Sequence, residues 1–347
     1  MKSLAAILVE QRKPLVIEEI EIPALSYGQV LVKVLCSGIC GSQIGEIDGV
    51  KGPDRFLPHL LGHEGTGKVL ECGPGVKTVS PDDQVVLHWR KGVGIEAAPA
   101  KYSSRMGTVN SGWVTTFNEL SVISENRMTK VPAELDVEQA ALMGCVVTTG
   151  FGVINNNARL KIGESIAIFG AGGIGLAMIQ AAAMVGAHSI IAVDLFDNKL
   201  ELAAKLGATH TINSKRADPE PAIKHIMGCD GVDVAVDNTG NVKVIETAYR
   251  VTSSCGRTIL VGVPPKGQQA GIYTLPLHFG KVLTGSHGGE SCPERDIPRY
   301  VRLLRVGKLR LDGLIGRRYS LADINTAITD MRSGTVAGRC VIRFDSP

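Results

Sequence analysis

Short apolar runs broken by glycine and proline dominate the first part of the chain. Residues 29–34, Gln-Val-Leu-Val-Lys-Val, are representative. Runs of this length that are rich in β-branched residues and closed by turn formers are typical of strands. We therefore predict a β-rich, barrel-like domain over residues 1–146.

A different pattern begins near residue 147, where strand-like and helix-like segments alternate. Residues 165–169 form a short apolar run, and residues 173–186 are rich in Ala, Ile, Leu and Met. Residues 189–194 then form a second apolar run with an acidic end. A strand, a buried helix and a second strand in this order indicate a parallel βαβ unit.

The alternation continues, and this predicts an α/β fold with a doubly wound parallel sheet over residues 147–286. Beyond it, residues 287–347 are predicted to hold two helices and a last strand. The further predicted elements are strands at 259–261 and 282–284, helices at 296–304 and 321–331, and a strand near Val341.

The turn between the first two strands of this sheet carries a glycine fingerprint. It reads Gly-Ala-Gly-Gly-Ile-Gly, with its glycines at Gly170, Gly172, Gly173 and Gly175. Such glycines let the backbone approach a pyrophosphate that lies against the positive end of a helix.

The acidic end of the second strand predicts which dinucleotide binds. Asp194 follows Gly170 by 24 residues (194 − 170), near the spacing expected of a residue that accepts hydrogen bonds from a ribose and repels a 2′-phosphate. NAD is therefore predicted over NADP. Lys199 either reaches the same ribose or is an ordinary exposed helix lysine.

Three metal-binding side chains lie in glycine-rich surroundings elsewhere in the chain. They are Cys40 in Gly-Ile-Cys-Gly-Ser, His63 in Gly-His-Glu-Gly, and Cys145 in Gly-Cys-Val-Val-Thr-Thr-Gly. Two thiolates and one imidazole leave a tetrahedral zinc ion one open position. The sequence therefore predicts one catalytic zinc ion, which acts as a Lewis acid beside a nicotinamide.

Composition limits the remaining possibilities. The 347 residues exceed what one core usually serves, 44% of them are hydrophobic, and the net charge is only +3. This charge does not suggest nucleic-acid binding, and we expect neither a signal peptide nor an apolar stretch able to span a membrane. Eight cysteines without a compact framework indicate a reducing compartment. We expect a soluble, cytoplasmic protein.

These motifs and their order resemble the zinc-dependent medium-chain alcohol dehydrogenase family over nearly the whole chain. The likeness includes Val-Gly-Val-Pro at 261–264 and Gly-Arg-Cys-Val-Ile at 338–342. It implies a GroES-like catalytic domain at 1–146, a Rossmann NAD-binding domain at 147–286, and a return to the catalytic domain at 287–347. It also implies hydride transfer between NAD and a small alcohol or aldehyde, sugar alcohols included, and a homodimer or homotetramer.

The resemblance also implies roles for individual residues. Ser42 matches the hydroxyl that takes the alcohol proton, and Glu64 the acid beside the ligand histidine. Trp89 and Phe117 match the wall of the substrate pocket, although core packing explains Trp89 too. The remaining cofactor-binding positions implied by the resemblance are Thr149, Ile174, Val261, Val263, His287 and Arg339.

Several positions depart from the family pattern. Gln43 stands where an acidic residue orients the ligand histidine, and Gly45 stands where a histidine ends the proton relay. Gly41 replaces a basic residue, which leaves Arg339 as the phosphate partner. No cysteine lies between Cys72 and Cys145, so the family's four-cysteine structural zinc site cannot form.

Two other functions remain open at this point. One is a zinc-free quinone or enoyl reductase on the same scaffold, which would lack the metal-ligand set. The other is a non-catalytic NAD-binding protein, against which the intact ligands and Ser42 argue. Fold alone does not choose among them.

Overall fold

The computed structural model describes residues 1–228 and 230–344, which divide into two compact units. One unit comprises Met1–Cys145 together with the chain from Cys292 onward, and the other comprises Val146–Ser291. The sequence analysis set its boundaries at 146/147 and 286/287, so Val146 and residues 287–291 belong here to the second unit. Both units have their own apolar core.

Ten strands and two helices, counted within the described residues, build most of the first unit. Five of the strands, in the order β1-β2-β7-β8-β4, close a barrel around one apolar cluster. The elements are β1 (Lys2–Leu8), β2 (Val16–Glu21), β3 (Gln29–Gly38), α1 (Gly41–Ile47), β4 (His59–Leu60), β5 (Glu64–Cys72), β6 (Gln84–His88), β7 (Lys101–Ser104), β8 (Gly107–Asn110), β9 (Leu120–Ser124), β10 (Met128–Lys130) and α2 (Val137–Leu142).

A six-stranded parallel sheet with helices between its strands forms the second unit. Its order, β13-β12-β11-β14-β15-β16, is the 3-2-1-4-5-6 order of a dinucleotide-binding fold. The elements are α3 (Thr148–Gly152), β11 (Ser165–Phe169), α4 (Gly173–Val185), β12 (Ser189–Asp194), α5 (Asp197–Lys205), β13 (His210–Asn213), α6 (Pro219–Met227), β14 (Val232–Asp237), α7 (Val242–Val251), β15 (Thr252–Leu260) and β16 (Val282–Gly285).

The last part of the chain completes the sheet of the first unit. It forms α8 (Pro293–Arg305), β17 (Ile315–Tyr319), α9 (Ile324–Ser333) and β18 (Arg339–Arg343). Strand β18 pairs with β3, so the sheet runs β10-β6-β5-β3-β18-β17, with β9 also on β3. The predicted fold class, a β-rich domain with a Rossmann sheet, is confirmed. The predicted helices near 296–304 and 321–331 form as well, the second with a 3₁₀ first turn.

One expectation about membranes was wrong. The continuous helical stretch Val137–Ala158 is long and apolar enough to span a bilayer by length and composition. However, 89% of its most apolar window is buried inside the protein. Its hydropathy is therefore that of a buried core helix, which can be as long and as apolar as a membrane-spanning helix.

A buried carboxylate organises the segment that carries no structural-zinc cysteines. Glu125, in a 3₁₀ turn between β9 and β10, accepts hydrogen bonds from the backbone N–H groups of Lys77 (2.6 Å), Thr78 (2.8 Å) and Ile95 (2.7 Å). Because unpaired buried N–H groups are costly, this one side chain joins two loops that are distant in sequence.

The neighbouring residues of the same turn extend this network. The Arg127 guanidinium donates to the Trp89 carbonyl (3.1 Å) and to the Glu96 carboxylate (3.0 Å). The Ser124 hydroxyl accepts from the Ala97 N–H at 2.8 Å. Hydrogen bonds to the turn at 124–127 therefore hold the 89–97 segment, in a chain that has no cysteine there.

We expect Glu125→Gln to lower the free energy of unfolding by about 1–3 kcal/mol, because an amide cannot accept from all these donors. Burial opposes ionisation of Glu125, but the backbone donors of Lys77, Ile95 and Thr78 hold its pKa below the ordinary value of 4.5. The stabilisation is therefore present above that value and is lost as pH falls through the lower folded pKa. Urea titrations at neutral pH and at acid pH measure this difference.

Glu134→Gln is the matched control, because its ion pair with Arg305 is exposed and contributes little. Equal stability of the Glu125 and Glu134 variants at neutral pH would contradict this account of the loop network.

Candidate functional site

The structure brings the three predicted metal ligands together. Cys40 precedes α1, His63 precedes β5, and Cys145 lies in the helical turn after α2. The ligand atoms of the three residues all lie within 4.8 Å of one another, and both cysteines are buried. Two soft sulfur atoms and one imidazole nitrogen at this spacing form a donor set suited to zinc.

Glycines allow the backbone to approach closely around these ligands. A side chain at Gly144 would meet the Leu87 carbonyl oxygen at 2.2 Å, so only glycine lets this helical turn lie against β6. A side chain at Gly38 would likewise meet a carboxylate oxygen of Glu64 at 2.2 Å. Gly144 before Cys145 and Gly38 before Cys40 therefore have a steric cause, whereas Gly41 has open space around it.

The imidazole of His63 is held by one nitrogen and has the other without a partner. Nδ1 is in hydrogen-bond contact with the side-chain amide of Gln43, which is buried. Nε2 is also buried and has no hydrogen-bond partner among the described residues. Because buried polar atoms are rarely left unpaired, Nε2 fits the role of a metal ligand.

The pKa values of the two thiols shift in opposite directions. A hydrogen bond from Cys145, together with Arg339 and His63, lowers the pKa of the Cys40 thiol well below its ordinary value despite burial. The hydrogen bond to Cys40 and burial raise the pKa of Cys145 well above its ordinary value. Deprotonation is therefore favoured at Cys40, and metal binding requires Cys145 to lose its proton as well.

A buried ion pair lies next to the ligands. The Arg339 guanidinium donates through Nε to the Glu64 carboxylate at 2.5 Å, and both side chains are almost fully buried. Burial raises the pKa of Glu64 above its ordinary value. The charge of Arg339 is the next largest effect and opposes this rise without cancelling it. Nη2 of Arg339 has no partner among the described residues. The sequence assigned Arg339 to a phosphate, whereas its observed contact is Glu64.

The predicted substrate residues differ in position. Ser42 is exposed in the first turn of α1, two residues after Cys40. The Trp89 ring lies 6.3 Å from the His63 ring in a tilted arrangement, centroid to centroid. Phe117 is completely buried in the apolar core of the first unit, where its ring packs against other apolar side chains. Its assignment to the pocket wall stays a prediction.

The glycine fingerprint forms the turn between β11 and α4. Gly170 has a φ of +95°, which favours glycine, and a side chain at Gly175 would meet the Gly170 carbonyl oxygen at 1.9 Å. Gly172 is the N-cap of α4, and a side chain placed there would meet no atom within 4 Å apart from those of its neighbours in the chain. This turn leaves the N-terminus of a 13-residue helix accessible to an anion.

Asp194 is fixed beside this turn at the end of β12. One carboxylate oxygen accepts from the Ala171 N–H at 2.7 Å, and the other accepts from Leu195 at 2.7 Å and Phe196 at 3.1 Å. Lys199 does not pair with Asp194; its Nζ lies 4.8 Å from the centroid of the Phe196 ring. The carboxylate is thus held in position next to the glycine fingerprint, as its predicted role requires.

The other predicted cofactor residues belong to several elements of the second unit. Thr149 is buried in α3, and Ile174 is half-buried in the first turn of α4. The Val261 N–H donates to the Asp237 carbonyl at 2.8 Å, whereas Val263 is 64% exposed. His287 is exposed before the short turn Gly288–Glu290. Their roles toward a dinucleotide stay predictions.

Comparison with known proteins identifies the family. Residues 26–133 match the family described as alcohol dehydrogenase GroES-like domain, and residues 173–305 match the one described as zinc-binding dehydrogenase. An S-(hydroxymethyl)glutathione dehydrogenase from Paracoccus denitrificans is 31% identical to this chain, over 96% of this chain and 98% of its own length. The chain belongs to the zinc-dependent medium-chain alcohol dehydrogenase family.

Solved structures resemble this dehydrogenase over its full length. An alcohol dehydrogenase zinc-binding domain protein from Burkholderia ambifaria has a TM-score of 0.90 and 32% identity, with 100% of both chains covered. Benzyl alcohol dehydrogenase from Acinetobacter calcoaceticus has a TM-score of 0.89 and 30% identity, with 99% of this chain and 100% of that chain covered. The protein is therefore an oxidoreductase that uses NAD and Zn²⁺ to oxidise alcohols.

Sequence reasoning missed three polar contacts of this dehydrogenase. They are the Gln43–His63 contact, the Glu64–Arg339 ion pair and the acceptor role of Glu125. Gln43 was noticed as a departure from the family pattern, but no signal in the sequence gave its contact. Motif spacing identifies ligand types, whereas these contacts depend on how strands and helices meet.

Replacing Asp194 by Asn should reduce the preference of this enzyme for NAD over NADP by roughly tenfold or more. The reason is that the carboxylate would repel a 2′-phosphate by about 1–4 kcal/mol at a few ångströms. The ratio of kcat/KM for the two cofactors measures the effect. A wild-type enzyme that uses NADP better than NAD would show that Asp194 is not at the ribose.

Proposed function

We propose that Cys40, His63 and Cys145 hold a single zinc ion at which an alcohol exchanges hydride with NAD. The observation that carries this proposal is the clustering of the three ligand atoms within 4.8 Å, with His63 Nε2 buried and lacking a partner among the described residues. Neither a zinc-free reductase nor a non-catalytic NAD-binding protein accounts for this donor set.

The zinc ion supplies Lewis-acid chemistry, which lowers the pKa of an alcohol. In our proposal Ser42 accepts the alcohol proton, since it is exposed in α1 only two residues beyond Cys40. Glu64 supplies negative charge near the ligands, and Arg339 offsets part of that charge. Gly45 has no side chain to receive the proton, so Ser42 passes its own proton on to water or to another group.

The cofactor roles follow the fold of the second unit. We propose that the turn at Gly170–Gly175 binds the pyrophosphate and that Asp194 binds the adenosine ribose. Thr149, Ile174 and Val263 are proposed to contact the nicotinamide end, with His287 and Val261 nearby. Lys199 can assist at the ribose only if it leaves the Phe196 ring.

Substrate size and assembly complete the proposal. The Trp89 ring, 6.3 Å from that of His63, supports a pocket for a small alcohol or aldehyde. We propose a homodimer or homotetramer, consistent with the exposed edge strand β16 and its exposed Val282. Two thiol ligands favour a reducing cytoplasm, and we propose no nucleic-acid or membrane partner.

We expect purified protein to contain one zinc ion per chain by elemental analysis, because the described residues offer one such ligand cluster and the sequence has no cysteine between Cys72 and Cys145 for a four-cysteine site. Cys145→Ala should lose zinc and activity but keep NAD affinity, since the glycine fingerprint lies in the other unit. Cys255→Ala is the matched control, because Cys255 is an exposed cysteine outside the cluster. Two tightly held zinc ions per chain would defeat this proposal.

Ser42→Ala should slow alcohol oxidation on the order of 10²-fold while zinc content is unchanged, because Ser42 transfers a proton and is not a ligand. The alcohol for this assay is selected first, by comparing the rise in NADH absorbance with primary, secondary, cyclic, aromatic and sugar alcohols. Ser42→Thr, which keeps the hydroxyl, is the control. If Ser42→Ala retains wild-type turnover with hydride transfer rate-limiting, the proton leaves by another path.

A further inference from the structure

The side-chain amide of Gln43 lies between two of the metal-ligand residues. Its Oε1 accepts a hydrogen bond from the Cys40 backbone N–H at 3.3 Å, and its Nε2 contacts Nδ1 of His63. The side chain is only 2% exposed, so water cannot replace either partner. Each end of the amide therefore serves one residue of the ligand set.

The orientation of this amide conflicts with metal binding by His63. In the orientation found, the amide nitrogen of Gln43 faces Nδ1. Because an amide nitrogen donates, this orientation pairs with the neutral tautomer that carries its proton on Nε2. Nε2 is the nitrogen without a partner in the described structure, and it needs a lone pair to bind an ion. In the ligating tautomer Nδ1 carries the proton and requires an acceptor.

The amide cannot satisfy both neighbours once His63 ligates. The Cys40 N–H is always a donor, and Nδ1 becomes a second donor. An amide has an acceptor at one end and a donor at the other, so in either orientation one of the two donors faces an NH₂ group. A carboxylate of the same length would accept from both.

We propose that Gln43 is a positioning residue that lowers the zinc affinity of this site. Zinc binding requires the amide to turn over so that Oε1 accepts from Nδ1, and the Cys40 N–H then loses its acceptor. The inference rests on the proposed zinc site. It adds that the site binds zinc less tightly than its three ligands allow.

The test compares zinc dissociation constants at fixed pH by competition with a chromophoric chelator. Gln43→Glu should bind zinc about 10- to 100-fold more tightly than the wild type, the usual effect of groups that orient ligands. Gln269→Glu adds the same charge at an exposed position of the second unit and should leave the dissociation constant unchanged. Equal tightening in both variants would indicate general charge attraction and overturn the proposal.

Two further measurements keep the outcome decisive. The Gln43→Glu variant introduces a carboxylate near Glu64 and the Cys40 thiolate, so Gln43→Asp is measured in parallel in case the first variant does not fold. No tightening in any folded carboxylate variant overturns the inference. Co²⁺ absorption from thiolate ligands in the wild type tests the site itself: its absence defeats the proposed function, whereas its presence without tightening defeats only the role of Gln43.

Discussion

The buried ion pair between Arg339 and Glu64 is the interaction on which the candidate site depends. An isolated buried charge is too costly to persist, so each of these residues requires the other. Arg339 begins β18, and Glu64 begins β5 directly after His63. The pair therefore ties the last strand of the chain to the strand that presents the imidazole.

The hydrogen bond between Cys40 and Cys145 has the largest effect on the thiols, and the same charges add to it. It lowers the pKa of Cys40 with help from Arg339, and it raises the pKa of Cys145 together with burial and a smaller effect of the Glu64 carboxylate. Deprotonation is thus favoured at one cysteine and opposed at the other. A zinc ion completes a charge arrangement that the surrounding residues already favour.

Elsewhere the first unit replaces metal coordination by hydrogen bonds. Glu125 and Arg127, two residues apart in one 3₁₀ turn, hold backbone groups of the 77–78 and 89–97 segments. A carboxylate that accepts several backbone N–H groups gives a loop a fixed geometry without metal. The enzyme therefore needs zinc for chemistry, whereas side chains of the turn at 124–127 hold the 89–97 segment in place.

The sequence by itself determined the elements and the chemistry of the ligands. Apolar runs and the glycine fingerprint predicted β11 and β12 with the bounds found and α4 to within one residue, because periodicity and turn residues act over a few neighbouring positions. The identities of Cys40, His63 and Cys145 predicted a zinc donor set, because ligand chemistry belongs to the side chain itself.

Only the tertiary structure decided which polar groups meet. Gln43 reaches His63 across 20 residues, and Arg339 reaches Glu64 across 275. Phe117 is likewise buried among apolar residues from distant parts of the chain. Such contacts depend on strand pairing and on close approaches at glycine. A local sequence pattern specifies the type of an element, but it does not specify which distant element packs against it.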